Sequence, residues 1–327
     1  MTNLRVGLVG LGMMGQNHAR VLASLEGVEF VGVCDPAGEF KGNAQGRKVV
    51  SSLDELIAMK IDYAMIAVPT VYHLETGLQL AEAGINALIE KPLAPDIESA
   101  EKLTAAFKKA NLIGAVGYIE RFNPALQEAR KRIDQLGTLH QVVTSRQGPF
   151  PARISDVGVV KDLATHDVDL TTWVTSQNYV NVSARTSYKS GREFEDMVAV
   201  IATLGGGTIT NHLVNWLSPI KERLTILTGE KGSFVVDTLT ADLTYYANGN
   251  VSTDWDAVSR FRGVSEGDVT RYAFAKKEPL RLEHENFRDA ILGKQSEIVT
   301  MEEGLTTVNV VEAIIKSAKT LETVELN

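Results

Sequence analysis

Three polar side chains between residues 158 and 169 have the types and spacing for proton transfer. Asp162, His166 and Asp169 lie four and three positions apart, so a helix here would place neighbouring members of the set on one face. A carboxylate beside an imidazole fixes the ring tautomer and raises its basicity. The pattern predicts a general base at His166. A capping aspartate beside a structural histidine is one alternative. A metal site is another, and no second histidine at ligand spacing supports it.

One lysine stands where a predicted buried strand ends. Lys91 follows a mostly apolar run and Glu90, and it precedes Pro92. The residue before a proline is sterically restricted, so this lysine cannot easily swing away from the strand end. A held ammonium group can stabilise negative charge that develops on a substrate oxygen. The alternative is a surface lysine that pairs with Glu90.

The first fifteen residues predict a scaffold that binds a dinucleotide. An apolar run from Leu4 to Val9 leads directly into a glycine-rich turn, and a helical pattern follows. In this motif the first glycine makes the tight turn, the second lets backbone approach a pyrophosphate, and the third lets helix pack on strand. The helix N-terminus offers free N–H groups to the phosphates. The predicted cofactor contacts here are Gly10, Gly12, Met13, Met14 and Gly15.

An aspartate completes the dinucleotide pattern. A second strand-like run ends at Asp35, about twenty residues beyond the glycines, where an acidic side chain would hold the ribose hydroxyls of NAD. Its carboxylate would repel a 2′-phosphate, and Pro36 and Ala37 follow it instead of an arginine. We therefore expect NAD rather than NADP. The alternative is a turn aspartate before a proline.

The order of predicted elements indicates two domains. Strands alternate with helices up to about residue 120, which is typical of a doubly wound Rossmann domain, so we assign residues 1–120 to α/β. Residues 121–327 predict an α+β domain with a largely antiparallel open sheet, including a meander over 194–247. Ligands bind at the carboxyl ends of parallel strands. The residues predicted at that edge are Pro69, Thr70, Glu90, Lys91 and Tyr118.

Composition excludes several classes of partner. The chain has 327 residues and a formal net charge of −8, which argues against general attraction to nucleic acid or to an anionic membrane. Cys34 is the only cysteine, so no intrachain disulfide forms and a reducing compartment is expected. We expect a cytoplasmic protein. An open sheet with one bare face commonly finds a second copy, so we expect a homodimer or homotetramer.

Several motifs together resemble the Gfo/Idh/MocA oxidoreductases, the family of glucose–fructose oxidoreductase and inositol dehydrogenase. The similarity covers essentially the whole chain. It is carried by the glycine motif with His18-Ala19-Arg20, by Glu90-Lys91-Pro92, and by Asp162 and His166 at their spacing. Residues 117–125 and 148–159 also resemble the branch that contains UDP-N-acetylglucosamine 3-dehydrogenases and their uronic acid relatives.

The resemblance implies roles for matching residues. Lys91 would contact the reacting hydroxyl, His166 would be the general base, and Asp162 would hold the substrate or orient the base. Family members differ over whether the lysine or the histidine takes the proton, so these two are treated as a coupled pair. Thr70, His73 and Glu90 would line the cofactor. The residues near the nicotinamide or the sugar would be Tyr118, Arg121 and Asn123.

The expected function is NAD-dependent oxidation of a secondary hydroxyl of a sugar, at C3 of a nucleotide sugar such as UDP-N-acetylglucosamine. Arg146 and Arg153 are candidates for the diphosphate, because arginine suits that geometry; surface salt bridges explain them equally well. Oxidation of a free polyol such as myo-inositol is the first alternative. A non-catalytic NAD-binding regulator is the second, since a fold does not determine a function.

Overall fold

The computed structural model describes residues 3–38, 43–151, 157–249 and 265–326, and the chain divides into two compact units. The first unit contains Met1–Ile119 together with Lys277–Asn309, and the second contains Glu120–Lys276 together with Val310–Asn327. The predicted division into residues 1–120 and 121–327 does not account for residues 277–309, which belong to the first unit. Phe287 explains that return, because it is fully buried in the core of the first unit, edge-on to Tyr63.

The first unit is built on a six-stranded sheet in the order β3-β2-β1-β4-β5-β6. Each described pair of neighbours is parallel. This is the strand order of a Rossmann domain, in which ligands bind where the order reverses; here that point lies between β1 and β4. The predicted fold class is confirmed for this unit. The strands are β1 Leu4–Val9, β2 Val28–Cys34, β3 Lys48–Val50, β4 Tyr63–Ile66, β5 Asn86–Glu90 and β6 Gly114–Gly117.

Helices connect the parallel strands, and their starts are visible in the sequence. Ser52 accepts a hydrogen bond from the Glu55 amide at the start of the second helix, and Asp96 accepts one from the Ser99 amide at the start of the fourth. Such caps satisfy N–H groups that lack a partner within the helix. The helices are α1 Met13–Leu22, α2 Leu53–Ile57, α3 His73–Glu82, α4 Ile97–Lys109, α5 Pro124–Lys131, α6 Thr165–Thr175, α7 Pro279–Ile291 and α8 Met301–Thr320.

The second unit is built on a nine-stranded sheet in the order β14-β13-β12-β11-β7-β10-β9-β8-β15. Described neighbours run antiparallel except for β7 and β10, which are parallel. The predicted α+β class is confirmed. The strands are β7 Leu139–Pro149, β8 Tyr179–Ser187, β9 Met197–Leu204, β10 Ile209–Asn215, β11 Leu217–Gly229, β12 Gly232–Asp237, β13 Asp242–Gly249, β14 Ser265–Arg271 and β15 Val324–Glu325.

The predicted meander over 194–247 is wrong at one point. Hairpins with glycine-containing turns join β9 to β10 and β11 to β12, but β7 lies between β10 and β11. Local turn signals identify only hairpin partners, so a strand that arrives from far earlier in the chain leaves no trace in that pattern.

The two faces of this sheet differ. Apolar side chains from one face pack against α5, α6 and the C-terminal half of α8 in two clusters, one that includes Leu227 and Phe234 and one that includes Val200. The other face exposes Ile201 to 57%, together with Ile209 and Leu213. Across the described chain, no helix combines the length and the apolar character needed to span a membrane.

Candidate active site

The glycine turn of the first unit is shaped by close backbone packing. Gly10 has φ +94°, and a Cβ there would lie 2.6 Å from the carbonyl oxygen of Ala67. A Cβ on Gly15 would lie 2.0 Å from the Gly10 carbonyl oxygen, so α1 can approach the turn only because residue 15 lacks a side chain. Gly12 has open space beside it. The turn therefore leaves an open cradle at the start of α1, flanked by Met13 and Met14.

Asp35 contacts the glycine turn directly. Its Oδ2 accepts a hydrogen bond from the Leu11 amide at 2.8 Å, and its Oδ1 accepts one from the Ala37 amide at 2.9 Å. The buried carboxylate thus joins the end of β2 to the cofactor turn, which sequence analysis did not foresee. A carboxylate can accept further hydrogen bonds, so a ribose contact is compatible with this role.

The segment after β4 contributes a second part of the sheet edge. Pro69 is exposed and Thr70 is partly exposed, so both can meet a ligand. His73 is buried between backbone carbonyls, with Nδ1 3.0 Å from the Pro92 oxygen and Nε2 3.1 Å from the Val68 oxygen. Burial lowers its pKa, although the carbonyls act in the opposite direction. His73 therefore joins this segment to the turn that carries Lys91 and does not point toward a ligand.

Glu90 and Lys91 end β5, and their side chains differ in exposure. Lys91 is partly exposed, and its peptide bond to Pro92 is cis. Glu90 is buried, its Oε2 accepts the Lys91 amide at 3.1 Å, and its Oε1 lies 2.8 Å from His18 Nε2. Burial is the largest effect and raises the pKa of Glu90, but the hydrogen bond from His18 and the charges of His18, Lys91 and His73 together outweigh it and lower the net pKa. Glu90 thus fixes the backbone of the lysine from the inside of the fold rather than lining an open cofactor site.

The buried contact of Glu90 continues into α7. His18 Nδ1 lies 2.8 Å from His284 Nε2, so one proton is shared between these two nitrogens. The pKa of His284 falls well below its usual value because of burial and then because of His18. Both carboxyl oxygens of Glu283 are buried without a hydrogen-bond partner among the described residues. Burial, and then Glu90, raise the pKa of Glu283 well above its usual value.

In the second unit, Asp162 and His166 lie on adjoining helical turns. Asp162 belongs to a π-helical turn, Val160–Ala164, and His166 lies in the first turn of α6. Both side chains are buried. The Val160 amide donates to Glu195 Oε1 at 3.0 Å, which secures the start of the turn. π-Helical turns are often found at functional sites. Lys161, directly before Asp162, forms an ion pair with Glu312 at 2.7 Å.

The two aspartates of α6 that flank Val168, Asp167 and Asp169, each bind an arginine. Arg121 donates from Nε and Nη2 to the two oxygens of Asp169 at 2.9 and 2.6 Å. Arg146 donates from Nε to Asp167 at 2.9 Å and from Nη1 to Glu120 at 2.7 Å. Both oxygens of Asp169 and one oxygen of Asp167 are thus engaged by arginines.

Arg146 does not match its predicted role as a diphosphate ligand. The residue is 4% exposed, and its guanidinium is engaged by two carboxylates. Burial lowers the pKa of Arg146, but Asp167 and Glu120 outweigh it and raise the net pKa. Sequence analysis missed both acidic partners, since neither follows a recognisable motif. The other candidate, Arg153, lies outside the described residues.

Three residues assigned by resemblance are also buried in the fold. Tyr118 is fully buried in the apolar core of the first unit. Asn123 caps α5 through a bond from the Ala125 amide to its Oδ1, and its Nδ2 donates to the Thr238 carbonyl. With Arg121 paired to Asp169, each has a structural contact, and none presents a side chain open to solvent.

The first unit fits NAD. The open cradle beside Gly12, the start of α1 without an acidic residue in its first turn, and the carboxylate of Asp35 are the features that a dinucleotide requires. Within the residues that the structure describes, no three His, Cys, Asp or Glu side chains are placed to hold a metal ion.

Comparison with known proteins agrees with this geometry. The Gfo/Idh/MocA family model described as "Oxidoreductase family, NAD-binding Rossmann fold" matches residues 4–118, and its companion "Oxidoreductase family, C-terminal alpha/beta domain" matches residues 132–326. A UDP-N-acetylglucosamine 3-dehydrogenase from Acidithiobacillus ferrooxidans is 29% identical over 294 residues, which is 89% of this chain and 90% of that protein.

Two further similarities complete the comparison. Inositol 2-dehydrogenase 2 from Saccharopolyspora erythraea is 26% identical over 223 residues, covering 64% of this chain and 65% of that protein. The solved structure of UDP-N-acetylglucosamine 3-dehydrogenase GnnA from Acidithiobacillus ferrooxidans has a TM-score of 0.85 and 26% identity, covering 98% of this chain and 99% of that one.

Proposed function

The chain belongs to the Gfo/Idh/MocA family of NAD-binding oxidoreductases, and we propose that it oxidises a nucleotide sugar at a secondary hydroxyl, C3 of UDP-N-acetylglucosamine or its uronic acid. One observation carries this choice of substrate. The similarity to a UDP-N-acetylglucosamine 3-dehydrogenase extends over 89% of the chain, whereas the similarity to the inositol 2-dehydrogenase covers 64%. The similarity to the nucleotide-sugar dehydrogenase therefore extends over more of this chain than the similarity to the polyol dehydrogenase.

The proposed chemistry assigns one task to each side chain. Bound NAD supplies the hydride acceptor, as the cofactor does in this class of reaction. His166 accepts the proton of the sugar hydroxyl, and Asp162 holds the imidazole or the sugar in place. The Lys91 ammonium stabilises the oxygen as negative charge develops on it. Glu90, His18 and His73 act indirectly, because they hold the backbone around Lys91.

The test is NADH formation by the purified protein with UDP-N-acetylglucosamine, its uronic acid and myo-inositol in parallel. An arm with 2-oxoglutarate detects an enzyme that retains NADH and needs it reoxidised. Turnover of a UDP-sugar supports the proposal, and analysis of the product then locates the new carbonyl. Turnover of myo-inositol alone would replace it with the polyol alternative.

Variants test the assigned roles. His166→Ala and Lys91→Ala should each lower kcat by a factor of about 10² or more, while NAD binding measured by calorimetry changes little for His166→Ala. His140→Ala is the matched control, because His140 is an exposed histidine of β7 in the same unit. Full activity of the His166 variant would remove this residue as the base.

We also propose that the open face of the second sheet is covered by a second copy of the chain. The exposed Ile201, Ile209 and Leu213 lie on neighbouring strands of that face, and an apolar patch of this kind marks an interaction surface. Ile201→Glu should lower the mass measured by light scattering. A single-chain mass for the unaltered protein at micromolar concentration would overturn the proposal.

A further inference from the structure

We infer that Arg223 of the second unit binds an anionic group of the substrate, either a phosphate or a carboxylate; the inference rests on the proposed function. Arg223 lies on β11 directly opposite Arg146 of β7. Two residues along each strand, Thr225 and Thr144 are buried, so Arg223 belongs to the face of the sheet that α6 covers. Neither the motifs nor the family resemblance drew attention to it.

The contacts of Arg223 use only one end of its guanidinium. Nη1 donates to the carbonyl oxygens of Gln147 and Glu222, each at 2.7 Å. Within the described part of the chain, Nε and Nη2 have no hydrogen-bond partner and no carboxylate forms an ion pair with this side chain. The group is partly exposed, so a ligand can reach the remaining donors.

Arg121 shows what those remaining donors can hold. It grips both oxygens of Asp169 through Nε and Nη2, the two parallel N–H groups along one edge of a guanidinium. The same edge of Arg223 has no protein partner among the described residues. A carboxylate or a phosphate matches this edge in a bidentate manner. The comparison within one unit therefore indicates the chemistry of the missing partner.

The charges around Arg223 support a ligand rather than a purely structural role. Burial, and then the positive charge of Arg146, lower the pKa of Arg223, and the carboxylates of Asp167, Glu120 and Asp162 offset this only in part. The charged form of Arg223 is therefore disfavoured in the folded chain, and a bound anion would stabilise it. Asp162, the residue proposed to hold the sugar or the base, is among the carboxylates that act on it.

Binding experiments test the inference without requiring turnover. Calorimetry would measure UDP, which carries only the diphosphate, and glucuronate, which carries only a carboxylate, against the unaltered protein and Arg223→Gln. We expect one ligand to lose affinity by about tenfold to a hundredfold, the range for a lost hydrogen bond to a charged group. A loss of affinity for UDP identifies the group bound by Arg223 as a phosphate, and a loss of affinity for glucuronate identifies it as a carboxylate. Unchanged affinity for both would overturn the inference.

Controls separate this result from misfolding and from failure of the proposed function. Arg271→Gln removes an arginine of β14 that is 70% exposed and paired with Asp242, and it should bind both ligands normally. Arg223→Lys keeps the charge without the bidentate edge, so it should recover part of the affinity; it also serves if the glutamine variant does not fold. If the unaltered protein turns over no UDP-sugar, the proposed function fails. The ratio of ligand affinities between the unaltered protein and Arg223→Gln still decides the role of Arg223.

Discussion

Replacing Arg146 by methionine should destabilise the second unit rather than weaken binding of a diphosphate. The guanidinium lies between Asp167, at 2.9 Å from Nε, and Glu120, at 2.7 Å from Nη1. Asp167 is 2% exposed, so removal of its partner leaves a buried charge uncompensated. We expect the free energy of unfolding to fall by about 3–5 kcal/mol, the usual cost of breaking a buried pair from one side.

The loss should depend on pH in a defined direction. Burial raises the pKa of Asp167 even though Arg146 opposes it. A raised carboxyl pKa means that the folded state keeps a proton that the unfolded state has released, so stability falls as pH rises through the folded pKa. Without Arg146 this pKa rises further. The deficit of Arg146→Met should therefore be smaller at about pH 5 than at about pH 8.

Urea denaturation followed by tryptophan fluorescence measures this change in the free energy of unfolding for the second unit of the chain. All three tryptophans of the sequence lie between residues 120 and 276, so fluorescence reports the second unit alone. A double variant, Arg146→Met with Asp167→Asn, should recover part of the stability because it removes the stranded charge. Arg271→Met is the surface control and should change stability by less than about 0.5 kcal/mol.

One outcome would refute the reasoning. Suppose that Arg146→Met unfolds at the same urea concentration as the unaltered protein at both pH values but binds UDP-sugars poorly. Arg146 would then bind the substrate, as the sequence analysis predicted for the diphosphate. If the midpoint falls equally at both pH values, the cost arises from packing rather than from the charge on Asp167.

Three further predictions follow from the first unit. Gly15→Ala should weaken NAD binding at least tenfold by calorimetry, since its Cβ would lie 2.0 Å from the Gly10 carbonyl oxygen; unchanged affinity would contradict the close packing. Asp35→Ala should weaken NAD binding without an equal gain for NADP, because the carboxylate also holds the Leu11 amide at 2.8 Å; NADP binding at full NAD affinity would exclude that role. Glu283→Gln should gain stability over the unaltered protein as pH rises, because burial raises the pKa of Glu283 well above its usual value; a difference independent of pH in urea denaturation would show that this carboxyl is not held protonated.

The features that could be predicted were those set by neighbours in sequence. The glycine turn, the capped helices and the alternation of strands and helices each depend on a few adjacent residues, through φ, through N–H groups at helix ends, or through side-chain period. Such patterns predicted the doubly wound sheet and the family resemblance, which are confirmed, and a cofactor edge with Gly10 and Asp35, which stays a prediction. They also placed Asp162 and His166 on adjoining turns.

What the sequence could not determine was the partner of each charged side chain. Nothing in the sequence distinguishes Arg121, Arg146 and Arg223. In the structure, Arg121 pairs with Asp169, and Arg146 pairs with Asp167 and Glu120. Arg223 has no acidic partner among the described residues. That difference arises because β7 lies beside β11 and beneath α6, so residues far apart in sequence meet. A fully buried charge needs a partner within the protein, whereas a partly exposed one does not. The degree of burial is a property of the tertiary structure alone.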